Sequence, residues 1–101
     1  MTGPRIKLEP EIRALTDAQR ALYEMVVDAY RADVAVRIAT KTRKAFDHDH
    51  AQASRQVARG VVIHGLCDYS PEGRYLLLSR RGKALAGIAN RMPANHEHLF
   101  T

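Results

Sequence analysis

Apolar residues recur every three or four positions between residues 17 and 32, which is the spacing of an amphipathic helix. Thr16 and Gln19 stand three residues apart just before this pattern, as in a capping box. We therefore predict that a first helix begins after Thr16 and buries one stripe, made of Leu22, Met25, Val26, Ala29 and Tyr30.

The next segment is rich in small and β-branched residues. We predict that Asp33 caps a second helix that continues through Val34 to Phe46, although β-branched residues lower helix propensity slightly. The basic run TKTRK at residues 40–44 would then lie at the phosphate-facing or solvated end of this helix.

Two acidic residues, Asp47 and Asp49, form a turn, and we predict that one of them caps a third helix from about His50 to His64. Its apolar stripe consists of Ala53, Val57, Ala58 and Val61. The residues that lie largely off this stripe are Gln52, Arg55, Gln56 and Arg59.

A glycine stop and a hairpin follow. Gly65 suits the left-handed residue that ends a helix, residues 66–69 and 75–78 are apolar enough for two strands, and residues 70–73 supply a proline-glycine turn. Ser79 then caps a last helix that we predict to run to about Arg91, before Pro93. Residues 1–15 form an N-terminal arm that packs on its own domain or on a partner, residues 16–92 the domain, and residues 93–101 a C-terminal tail.

The stretch GLCDYSPEGRYLLLSRRGKAL at residues 65–85 resembles the second half of the winged helix-turn-helix domain of MarR-type, PadR-type and related archaeal and bacterial regulators. The resemblance covers about two thirds of the chain. The chain departs from the pattern at Ser79, where threonine is usual, and in its very short wing. The resemblance implies an α+β winged helix-turn-helix with a three-helix core, a short β-hairpin wing and an additional C-terminal helix.

Length and composition limit the class of protein. A chain of 101 residues is long enough for one domain with one modest core. It has no apolar run of the roughly 20 residues that cross a bilayer, and no apolar signal sequence at its start. Cys67 is the single cysteine, so it cannot form an internal disulfide. We therefore predict a cytoplasmic protein.

The net charge of +5 favours a polyanionic partner, and the cations gather in the middle of the chain while acidic residues gather early. Arginine and glutamine can form paired hydrogen bonds with guanine and adenine edges. We predict sequence-specific binding of double-stranded DNA by a transcriptional regulator, most simply a repressor, with helix 3 in the major groove and the wing beside it. The candidate DNA-binding residues are Lys41, Arg43, Lys44, His48, His50, Gln52, Arg55, Gln56, Arg59, Arg74, Arg80, Arg81 and Lys83.

The sequence gives only weak signals of a metal site, a cofactor or an enzyme. The histidine pairs 48/50 and 96/98 lack the spacing of a zinc site, and Gly82-Lys83 lacks the flanking residues of a phosphate-binding loop. We predict no metal, no cofactor and no enzymatic activity. Protonation of His48 and His50 at mildly acid pH would strengthen phosphate binding.

The three leucines at residues 76–78 place apolar side chains on both faces of a strand, and one small domain readily covers only one. We therefore predict a homodimer that associates through the N-terminal arm and the last helix. The main alternative is a winged helix that docks protein within a larger assembly, and a second is a sensor that binds a small ligand between subunits.

Overall fold

A computed structural model of the chain describes residues 10–39, 46–47 and 50–88 and shows a mixed α+β fold. The elements in these ranges are α1 (Pro10–Arg13), α2 (Asp17–Arg31), β1 (Val36–Ala39), β2 (Phe46–Asp47), β3 (Gln52–Ser54), α3 (Arg55–Ile63), β4 (Cys67–Tyr69), β5 (Tyr75–Leu78) and α4 (Arg80–Leu85). The α+β class is confirmed. In these same ranges, every helix is too short or too polar to cross a membrane.

The five strands form one sheet in the order β2-β3-β1-β5-β4. β1 runs parallel to β3, and the other neighbouring pairs are antiparallel. Helices α2 and α3 pack against each other and against the sheet, so the core lies between helices and strands. Its largest fully buried side chains include Tyr23, Leu22, Leu66, Leu76 and Val61.

The segment before α2 belongs to this core. Ile12 is 1% exposed and Leu15 is 7% exposed, and both pack in the same apolar cluster as the α2 stripe. The N-terminal arm was predicted to pack on its own domain or on a partner. Residues 10–15, the described part of this arm, pack on their own domain. Residues 1–9 lie outside the described ranges.

The predicted start of α2 is confirmed, whereas the structure at the end of α2 differs from the prediction made for Asp33. Thr16 and Gln19 form the reciprocal capping box. Asp33 does not cap a following helix: it takes a left-handed backbone at φ 60°, and its amide donates to the Tyr30 carbonyl while Val34 donates to Ala29. This pair of bonds is a Schellman motif, which satisfies the last carbonyls of α2.

The predicted second helix is wrong, because its described residues form strands. Val36 and Ile38 face the helices while Arg37 faces away, and this alternation fits a half-buried strand. β1 lies in the middle of the sheet, so its backbone groups bond on both sides: the Arg37 amide donates to Ala51 and the Ile38 amide donates to Arg74, each at 2.8 Å. Partners distant in sequence thus outweigh local propensity.

The third helix is shorter than predicted. Residues 52–54 form β3, and α3 begins at Arg55 with Ser54 as its N-cap, whose hydroxyl accepts from the Val57 amide. The prediction of an aspartate cap is therefore wrong. The glycine stop is confirmed: Gly65 has φ 80°, and α3 ends in a Schellman motif like that of α2.

The hairpin of β4 and β5 is confirmed, and so is the Ser79 cap of α4. α4 ends at Leu85, earlier than predicted, because Gly87 adopts φ 72° and the Ile88 amide donates back to Lys83. The residues from 89 onward, which include the predicted end at Arg91, lie outside the described ranges.

The leucines of β5 give no support to the expected dimer. Leu76 and Leu78 face the core, and Leu77 faces the other side of the sheet, yet all three are at most 5% exposed in a single chain. The premise that a second chain must cover one face is therefore wrong. The homodimer stays a prediction without this argument.

Candidate nucleic-acid interface

The exposed face of α3 carries three polar side chains predicted to meet DNA. Arg55, Gln56 and Arg59 are exposed, because Ala58 and Val61 turn the opposite face of the helix into the core. Residues three and four apart share a helix face, so Arg59 is a neighbour of both Arg55 and Gln56 on this surface. These three members of the predicted quartet lie together.

The fourth member, Gln52, does not join them. It lies on β3, in register with Arg37 of β1. The next residue of β3, Ala53, is fully buried. The side chains of Gln52 and Arg37 therefore lie on the sheet face that points away from α3. The prediction that one helix presents all four residues is wrong.

A cleft separates the first turn of α3 from the tip of the hairpin. It has a volume of about 230 Å³ and is lined by Ile38, Arg55, Tyr69 and Gly73. Ile38 and Tyr69 occupy positions on the sheet face that packs on the helices, and Ile38 pairs with Ala53, two residues before α3 begins. We call this space the helix–hairpin cleft.

The hairpin tip is held by its own turn. The Gly73 amide donates to the Ser70 carbonyl at 2.8 Å, the Ser70 hydroxyl accepts from the Tyr75 amide, and Gly73 takes φ 75°. Arg74 is exposed and forms an ion pair with Glu72, Nε to Oε2, at 3.3 Å. The tip therefore presents a cation whose charge is offset by a neighbouring carboxylate.

The basic residues at the start of α4 divide into two kinds. Arg80 and Arg81 are exposed and lie at the base of the hairpin, near the end of α3, where the Arg81 side chain approaches Gly65. Lys83 is only 7% exposed, and its Nζ lies 5.5 Å from the centre of the Tyr30 ring. Burial lowers the pKa of Lys83, whereas the charge of Asp68 acts in the opposite direction. Lys83 is therefore a buried cation, not a surface one as the prediction required.

His50 is exposed, and its Nδ1 lies 2.8 Å from Oδ2 of Asp47. The negative charge of the Asp47 carboxylate beside this ring weakens the predicted attraction of His50 for phosphate. The remaining predicted contacts, Lys41, Arg43, Lys44 and His48, lie outside the described ranges.

Two buried groups stand apart from this surface. The Tyr23 hydroxyl donates to the Gly82 carbonyl at 2.7 Å, and burial raises the pKa of Tyr23 to about 12. Burial also raises the pKa of the Cys67 thiol well above its ordinary value. Across the part of the chain that the structure describes, no three histidine, cysteine or acidic side chains come together as a metal site would require.

Sequence reasoning missed two residues of the helix–hairpin cleft, Ile38 and Tyr69. A signal existed for each: Ile38 alternates with Arg37 in a β-branched stretch, and Tyr69 stands two residues after Cys67 in a predicted strand, which places both on its core side. Their closeness to Arg55 depends on the pairing of β1 with β3 and β5, which no local pattern reveals. Comparison of the chain with family models, curated proteins and solved structures finds no match in any of the three.

Proposed function

We propose that the chain binds double-stranded DNA through the exposed face of α3 and the neighbouring hairpin. The observation that carries this proposal is the helix–hairpin cleft, because one space lined by both Arg55 and Gly73 requires the helix and the turn to lie side by side. An exposed helix with two arginines and a glutamine is suited to the major groove, and an adjacent cationic turn is suited to flanking DNA.

The order of elements supports a variant winged helix. α2, β1, α3 and the β4–β5 hairpin follow one another as a first helix, a first strand, a reading helix and a wing do, with β1 pairing β5. In this proposal β2 and β3 occupy the part of the chain where the resembled domain has its second helix. A regulator of transcription, acting as a repressor by occupying its site, is the corresponding biological role.

Binding to duplexes selected from random sequence at physiological salt tests the proposal. We expect an enriched motif, and an affinity that falls about a thousandfold between 50 and 200 mM salt if about six phosphates are contacted. Arg59→Ala should weaken binding to the selected site by about five- to 150-fold, since a bidentate base contact contributes about 1–3 kcal/mol.

Arg13→Ala is the matched control, because Arg13 is an exposed arginine on α1 and belongs neither to α3 nor to the hairpin. It should change the affinity by no more than about twofold. Equal losses from Arg13→Ala and Arg59→Ala would contradict the assigned surface, and a salt-independent affinity would contradict DNA binding altogether.

Protein docking is the second candidate, and one observation favours it. A depression of about 260 Å³ is lined mostly by apolar residues, among them Val34, which is 44% exposed, and by one acidic residue, Asp28. Such an apolar surface suits a hydrophobic partner side chain. An interface of this kind would barely respond to salt, so the same titration separates the two candidates.

A further inference from the structure

The helix–hairpin cleft differs chemically from the outward face of α3. Among the residues that the structure describes, Arg55 is the α3 residue that lines the cleft, and the other lining residues are an aliphatic chain, a phenol ring and a glycine. Gln56 and Arg59 do not line it. Arg55 thus faces the hairpin, whereas the other two exposed polar residues of α3 remain available to the groove floor.

In duplex DNA the wall between a major groove and the adjacent minor groove is a single sugar-phosphate strand. A helix in the major groove and a hairpin beside it must therefore stand on either side of that strand. The space left between helix and hairpin is the place where the strand has to pass.

We propose that the helix–hairpin cleft holds one deoxyribose-phosphate unit of the DNA backbone, with Arg55 as its phosphate ligand. This inference rests on the proposed function and assigns Arg55 a role different from the base contact expected from its sequence position. Base recognition by α3 then belongs to Gln56 and Arg59.

The lining fits the two halves of such a unit. The Arg55 guanidinium offers planar paired donors to phosphate oxygens, and the exposed phenol of Tyr69 offers a further hydroxyl donor. Ile38 provides an aliphatic surface for the carbon-rich face of the sugar. At Gly73 an added Cβ would meet nothing within 4 Å, so this wall of the cleft is open to an approaching strand.

The nearest carboxylate at the hairpin tip does not oppose this role strongly. Glu72 is paired with Arg74, and both side chains are more than 70% exposed, so solvent and the ion pair reduce its repulsion of a phosphate. Glu72 therefore opposes the binding of a phosphate in the cleft only weakly.

The test replaces single phosphates of the selected duplex with uncharged methylphosphonates, one position at a time. With the unaltered protein, each contacted phosphate should show a loss, and the position held in the cleft should lose about tenfold or more in affinity, as expected for a charged hydrogen bond. Arg55→Ala should bind the unmodified duplex about tenfold more weakly and show no further loss at that position. Tyr69→Phe should cost less than Arg55→Ala, because it removes one hydroxyl donor and no charge.

Arg59→Ala is the matched control and should keep the full methylphosphonate effect at that position. Arg55→Ala should also leave the ranking of single-base-pair variants unchanged, and its circular dichroism should match that of the unaltered protein. If Arg55→Ala retains the phosphate effect, or changes the preferred base at one position, the assignment of Arg55 is overturned while DNA binding stands. If the unaltered protein binds no duplex, both proposals fall.

Discussion

Replacing Gly82 by alanine should destabilise the domain more than replacing Gly60 by alanine. Gly82 lies in α4 against the loop that enters β4, and an added Cβ would overlap the Leu66 carbonyl oxygen and lie 3.0 Å from its carbon. These are backbone atoms, so they cannot rotate away as a side chain can.

The loss can be worked out from the bonds that must move. The Leu66 carbonyl accepts from the Ser79 amide at 3.1 Å, and the Gly82 carbonyl accepts from the buried Tyr23 hydroxyl at 2.7 Å. Disrupting two such bonds costs about 2–4 kcal/mol, and overpacking adds about 1–3 kcal/mol. Alanine recovers about 1 kcal/mol of helix propensity. We expect a net loss of about 2–6 kcal/mol, which is a large part of the 5–15 kcal/mol typical of a domain.

Gly60→Ala provides the matched comparison. It also lies inside a helix, but its added Cβ would meet the flexible amide end of Gln19. Turning Gln19 aside gives up the bond that it accepts from the Thr16 amide, worth about 1 kcal/mol, and alanine returns about as much in propensity. Urea unfolding followed by circular dichroism should place Gly60→Ala within about 1 kcal/mol of the unaltered protein. A Gly82→Ala protein equally stable would refute the contact argument.

Three further changes test separate parts of the structure. Thr16→Ala should lower the unfolding free energy by about 1 kcal/mol by removing the capping box, and an unchanged urea midpoint would contradict this. Above pH 10 an unfolded Tyr23 loses its proton while the folded one, with a pKa of about 12, retains it, so stability should fall between pH 10 and 12. Tyr23→Phe should lessen that fall relative to the unaltered protein in urea titrations at each pH. Lys83→Met should leave the affinity for duplex DNA within about twofold, because a buried ammonium offers phosphate little; a tenfold loss measured by fluorescence anisotropy would show otherwise.

Local signals accounted for the elements that the sequence predicted correctly. The capping box at Thr16, the glycine at Gly65 and the cap at Ser79 each satisfy backbone groups within a few residues, so neighbouring residues suffice to specify them. The hairpin turn depends likewise on Ser70 and Gly73, which are separated by three positions.

The errors lie where distant partners decide the conformation. Residues 36–39 resembled a weak helix in sequence, but as β1 they bond to β3 on one side and to β5 on the other. The helix–hairpin cleft was invisible for the same reason, since Ile38, Arg55 and Tyr69 meet only through that pairing. Lys83 was misplaced because its burial depends on Tyr30 of another helix.

Two consecutive amides of β1 set the distance between the strands on its two sides. Arg37 donates to the segment that leads into α3, and Ile38 donates in the opposite direction to the hairpin, so one strand lies between them. Two inter-strand steps measure about 9–10 Å. Side-chain substitutions can change which groups bind in the gap between the segment before α3 and the hairpin. The width of this gap is set by backbone hydrogen bonds, so it will persist through such substitutions.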